Sequence, residues 1–188
     1  MSRRFAYADP PYLGCAQRYY GDKHPDAAAY DRIGTHAELI TRLVHEFPDG
    51  WALSCHVPSL AIMLTLCPKD VRIAAWVKPF SGVRPGVRAR FSWEPVIYRT
   101  SIAWAHGPMF TDHLVDDAPR NNGVQRGGFP GKKSEAFAAW IAAMLGARPD
   151  DELVDLFPGS GQVSQAFKKP RDPRSFELAL VEAHLHAA

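Results

Sequence analysis

LVDLFPGSGQV, residues 153–163, reads as the end of a strand, a glycine turn and the start of a helix. Glycines at 159 and 161 give a turn whose bare backbone a ligand can approach closely. Three loop types compete for such a turn. A Walker loop ends in Gly-Lys-Ser/Thr, and Gly161 is followed by Gln162, which excludes it. A GxGxxG dinucleotide fingerprint lacks its third glycine, because Ser164 stands there, and is weak. The pattern left is FxGxG preceded by an acid, Asp155.

The segments around this turn predict an α/β fold. Residues 3–9, RRFAYAD, read as a buried strand, as do 51–57, 71–78 and 151–157, with 95–104 forming one further strand or two. Residues 35–47 carry Leu39, Ile40, Leu43, Val44 and Phe47 at helical spacing, opened by a Thr35–Glu38 capping box. A short helix follows Pro58, a strong one covers 134–147 and stops at Gly146, and another starts at 160–167. A last strand is expected at 175–183. Alternating strands and helices imply a Rossmann-like, mostly parallel sheet with helices on both faces, which binds ligands at the carboxyl ends of its strands.

At such a strand end stands a second unusual stretch, YADPPYLGCAQRYYG, residues 7–21. Pro10 and Pro11 lack backbone donors and keep the chain extended, so Asp9-Pro10-Pro11-Tyr12 cannot continue a helix or a central strand. Taken alone it is equally a strand closing in a proline-rich turn.

Bulk properties set the frame. The 188 residues suit one domain, and a 46% hydrophobic content is that of a folded chain. No apolar run is long enough to span a bilayer, and the start reaches Asp9 before a signal core could form, so a cytoplasmic protein away from membranes is expected. Cys15, Cys55 and Cys67 are predicted to be buried free thiols, and no ligand spacing predicts a metal. The net charge of +2 hides two basic segments. Residues 78–99 carry Lys78, Arg84, Arg88, Arg90 and Arg99 against Glu94, and residues 119–133 carry Arg120, Arg126, Lys132 and Lys133 with no acid. They read either as a polyanion-facing surface or as ordinary solvated loops.

With both motifs in view, the chain resembles the S-adenosylmethionine-dependent amino-methyltransferases that modify the exocyclic nitrogen of adenine or cytosine in nucleic acid. Their signatures resemble D/N/S-P-P-Y/F/W and D-x-F-x-G-x-G, matched here by residues 9–12 and 155–161. The catalytic motif precedes the cofactor motif, similar to the circularly permuted, beta-class order of that family. Residues 75–79 (AWVKP), 93–98 (WEPVIY) and 131–145 resemble its intermediate segments, and the likeness spans about residues 5–168. Leu156 and the Lys132-Lys133-Ser134 run depart from the usual pattern, which has proline after the acid and Lys-Pro.

The resemblance implies one methyltransferase domain over residues 1–188, with a short target-recognition insertion at about 100–132. It implies a catalytic clamp of Asp9, Pro10, Pro11 and Tyr12. The Asp9 carboxylate and Pro10 carbonyl can accept both hydrogens of an amino group, while Tyr12 offers a stacking face for an extruded base. It implies a cofactor site of Asp155, Phe157, Gly159, Ser160 and Gly161 with Lys132 or Lys133 nearby. Glu177 is either the acid for the cofactor ribose or a solvent-facing strand residue. Arg84, Arg88, Arg90, Arg120 and Arg126 are the candidates for nucleic-acid contact. Adenine in DNA is the favoured substrate, with RNA adenosine, cytosine-N4 or a non-catalytic nucleic-acid-binding subunit as alternatives, and a homodimer is compatible with the family.

Overall fold

A computed structural model of the chain describes residues 2–22, 25–78, 86, 88–89, 91–103, 111–116, 133–159 and 161–168. Its elements run β1 (Arg4–Ala8), α1 (Ala16–Tyr20), α2 (Ile33–Glu46), β2 (Gly50–Ser54), α3 (Leu60–Leu66), β3 (Arg72–Val77), β4 (Trp93–Thr100), β5 (His113–Val115), α4 (Glu135–Leu145), β6 (Glu152–Asp155) and α5 (Gln162–Lys168). Among the described residues, six strands form one sheet in the order β5-β3-β4-β2-β1-β6. β1 pairs parallel with β2 and β6, and β3 with β5, whereas β4 is antiparallel to both its neighbours. Of these strands, β4 therefore runs against the rest.

Side chains alternating along β1 explain the layering. Phe5 and Tyr7 enter one core with Trp76, Tyr98, Phe137, Trp140 and Ile141, under α4 and α5. Ala6 and Ala8 enter the other with Leu39, Ile40, Leu43, Trp51, Leu53 and Met63, under α2 and α3. Helices on both faces of a mostly parallel sheet match the expected Rossmann-like class.

Details differ from the sequence reading. Helix α2 begins two residues before Thr35, which therefore is not its N-cap and forms no capping box; the Thr35 hydroxyl donates to the Ala29 carbonyl at 2.7 Å. The strand expected over 51–57 ends at Ser54, and the chain turns at His56. Residues 93–100 form one strand. Its reversed direction follows from its return off β3, a pairing that single-strand patterns do not reveal. Within 100–132, residues 113–115 form the edge strand β5. Helix α4 is as predicted. Ser134 caps it by accepting from the Phe137 amide, and Gly146 ends it at φ +70°. Of the three free thiols only Cys55 is buried, and burial pushes it up to about 12. No helix among the described residues is long and apolar enough to cross a membrane. The strand expected at 175–183 lies outside them.

Candidate active site

The parallel register pairs Tyr7 with Asp155, and the Leu156 amide donates to the Tyr7 carbonyl at 2.9 Å. The Asp9-Pro10-Pro11-Tyr12 turn and the 156–161 turn therefore leave the same edge of the sheet, side by side. Because β4 is reversed, its first residues arrive at that edge too, with Trp76 opposite Glu94.

Five side chains lock together there. Lys133 Nζ lies 3.0 Å from Asp9 Oδ2 and 3.2 Å from Glu94 Oε2, with only 4% of the lysine side chain exposed. Tyr12 Oη is 3.1 Å from both Asp9 Oδ1 and Glu94 Oε2. Lys78 pairs with the other Glu94 oxygen. Both ammoniums also sit over the Trp76 ring, at 4.3 Å for Lys78 and 4.8 Å for Lys133.

The charges follow from this packing. Burial pushes the Glu94 carboxyl up, but the Lys133 and Lys78 ammoniums outweigh it and hold the group down at about 2. Burial works against the Lys133 ammonium, and the Asp9 and Glu94 carboxylates overcome it, raising its pKa well above the usual lysine range. Burial keeps Lys78 below that range despite Glu94. Burial, then Asp9 and Glu94, push the Tyr12 phenol up, so Tyr12 remains a donor. Its ring stacks on His56, with centroids 5.5 Å apart and planes 16° from parallel. His56 is held by Ser59 Oγ at 2.7 Å from its Nδ1. The α1 helix behind the clamp is tied down by Asp31, which accepts from the Ala16 and Gln17 amides at 2.9 Å.

At the second turn, Asp155 accepts from the Phe157 amide at 3.2 Å and from Ser164 Oγ at 2.7 Å. Burial outweighs these bonds and raises its pKa. Ser164 thus has work of its own where a dinucleotide loop would need glycine. Gly159 and Gly161 adopt φ +47° and +76°, and a Cβ at either would meet nothing nearer than 3.7 Å. The turn is a left-handed backbone cradle open on its outer side.

Sequence reasoning located Asp9, Pro10, Pro11, Tyr12, Asp155, Phe157, Gly159 and Gly161, and the fold brings them to one edge. Lys133, named with Lys132 as a candidate near the cofactor turn, bridges Asp9 and Glu94. Burial of its ammonium selects a site with two carboxylates. Glu94, Lys78 and His56 were not among the expected site residues. The signals for Glu94 were its place as the lone acid in a basic segment and within the WEPVIY stretch at 93–98. Lys132, Ser160, Glu177, Arg84, Arg90, Arg120 and Arg126 lie outside the described residues, and Arg88 is exposed.

No family model matches the chain, and no curated protein matches it in sequence. Solved structures do. M1.HpyAVI, in its complex with SAM (S-adenosylmethionine), gives a TM-score of 0.58 at 17% identity, covering 97% of this chain and 89% of that one. A Thermus thermophilus protein named "Putative DNA Modification Methylase" gives 0.52 at 16% identity, covering 97% of this chain and 86% of that one. The chain shares their fold. Along that fold the Asp9 clamp and the Gly159–Gly161 cradle occupy the strand ends where α/β sheets bind ligands.

Proposed function

We propose that this chain is an S-adenosylmethionine-dependent DNA methyltransferase that modifies the exocyclic amino group of adenine. The observation that carries the reading is the Tyr7–Asp155 register, which sets the Asp9-Pro10-Pro11-Tyr12 turn next to the glycine turn after Asp155. The fold shared with a SAM complex and with a DNA modification methylase supports it.

The residues fit the cofactor. The open cradle at Gly159 and Gly161 leaves room beside bare backbone, and Asp155 is fixed by two hydrogen bonds at its base. S-adenosylmethionine, when bound, supplies an electrophilic sulfonium methyl, so no metal is required for its transfer. The Asp9 carboxylate and the Pro10 carbonyl accept the two hydrogens of the target amino group and favour tetrahedral nitrogen. Pro10 and Pro11 set these acceptors in advance, which limits reorganisation. Asp9 receives the proton that the nitrogen sheds on gaining the methyl. The Tyr12 ring, backed by His56, stacks the extruded base, a contact worth about 1–3 kcal/mol.

The test is incubation with labelled S-adenosylmethionine and a panel of DNA and RNA, followed by nucleoside mass spectrometry. N6-methyladenine in DNA is expected. Label only in RNA or on cytosine would replace the substrate, and none in any nucleic acid would overturn the reading.

Gly159→Val is expected to weaken cofactor binding at least tenfold. A β-branched residue at φ +47° is strained, and a branched side chain beside this turn takes up room that the proposed cofactor needs. Calorimetry on the folded variant checks this, and wild-type affinity would make the turn purely structural. Phosphate contact is assigned to the arginines of the two basic segments. Replacing Arg88 and Arg90 by alanine should flatten the slope of log affinity against log salt by about 1–2, with little change in sequence preference. Titrations at several salt concentrations measure it, and an unchanged slope would mean that these arginines do not carry the polyanion.

A further inference from the structure

Glu94 lies outside both signatures, yet it takes the same two donors as the clamp carboxylate. Tyr12 Oη stands 3.1 Å from Asp9 Oδ1 and 3.1 Å from Glu94 Oε2. Lys133 Nζ stands 3.0 Å from Asp9 Oδ2 and 3.2 Å from Glu94 Oε2. Each donor is poised between two carboxylates. The phenol has one proton, so it serves one of them at a time. Both Asp9 oxygens therefore face donors of the protein itself, and an oxygen engaged by an ammonium is a poorer acceptor for a substrate N–H.

We propose that Glu94 is a positioning residue for methyl transfer, the alternative acceptor that takes the Tyr12 hydroxyl and the Lys133 ammonium when Asp9 engages the target amino group. The inference rests on the methyltransferase reading above. The geometry suits the role from every side. The β3–β4 register fixes Glu94 opposite Trp76. Lys78 holds the remaining Glu94 oxygen, which orients the carboxylate and balances two anions against two cations. Glu94 stays ionised at any working pH, since the two lysines hold it at about 2. Without its charge, both donors would fall to Asp9 and compete with the substrate.

The experiment compares steady-state methyl transfer by the wild type, Glu94→Gln, Tyr12→Phe and the double variant. Glutamine keeps the size and one acceptor oxygen, which favours a folded protein; thermal melts of each variant verify it. Glu94→Gln is expected to lower kcat roughly 10- to 100-fold, with KM for S-adenosylmethionine and DNA within about threefold. In the Tyr12→Phe background one donor is already gone, so the same substitution should cost only a few-fold. A residue that merely supported the fold would lose the same factor in both backgrounds. Equal factors, or a wild-type kcat in Glu94→Gln, would overturn the proposal while leaving the methyltransferase reading intact. A wild type that transfers no methyl group would overturn both.

Discussion

Asp9→Ala will lower methyl transfer by about 10²–10³-fold or more while leaving S-adenosylmethionine affinity within a few-fold. The carboxylate is the only charged acceptor in the proline-fixed turn, and neither proline can replace it. Its loss removes an interaction that strengthens as the nitrogen becomes tetrahedral, so the cost falls on the chemical step. The proposed cofactor cradle, by contrast, follows β6 and is built from Asp155, Gly159 and Gly161, whose hydrogen bonds described above do not involve Asp9. Folding should also survive. Lys133 keeps Glu94 as partner at 3.2 Å, so the buried ammonium is not stranded. Single-turnover transfer and calorimetry separate the two effects. Loss of cofactor binding in a folded Asp9→Ala protein would refute this division of labour between the two strand ends.

How far the residues announced this architecture depends on the range of the interaction involved. Helix α4 was readable because its signals are local. Ser134 caps it, Gly146 ends it, and Phe137, Trp140, Ile141 and Leu145 give it a face. The two turns were readable because prolines and glycines constrain backbone within a few residues, at Pro10–Pro11 and at Gly159–Gly161. The direction of β4 was not, since strand polarity is set by which neighbour a chain returns beside. For the same reason Glu94 was missed. It joins the site only because β4 runs backwards and brings its first residues to the edge where β1 and β6 end. Thr35 and Glu38 show the opposite error, a correct local pattern overruled because the helix starts two residues earlier, at Ile33.

Lys133→Met should be the most destabilising single change in the site, costing about 3–5 kcal/mol at pH 7, a large part of a typical folding free energy. Methionine fills the space over Trp76 and Phe137 but leaves Asp9 and Glu94 facing each other with Lys78 as the remaining cation in the cluster. The pH dependence gives the sharper test. In the wild type, Glu94 is held at about 2 against an ordinary 4.5, so its contribution is fully present above pH 4.5 and is lost as pH falls toward 2. The Lys133 contribution runs the other way. Its pKa is raised, so that stability is present below 10.5 and is lost only in stronger alkali. Wild-type stability should thus hold from about pH 5 to 10 as far as this pair is concerned, and drop on acidification. In Lys133→Met, burial acts on the Glu94 carboxyl with half of its compensating charge removed, and protonation relieves repulsion from Asp9. The variant's deficit should therefore shrink as pH is lowered from about 7 to about 4. Urea unfolding at those pH values measures both quantities. A deficit that stays constant across the range would mean that methionine costs stability through packing, and that the ammonium does not hold the two carboxylates together.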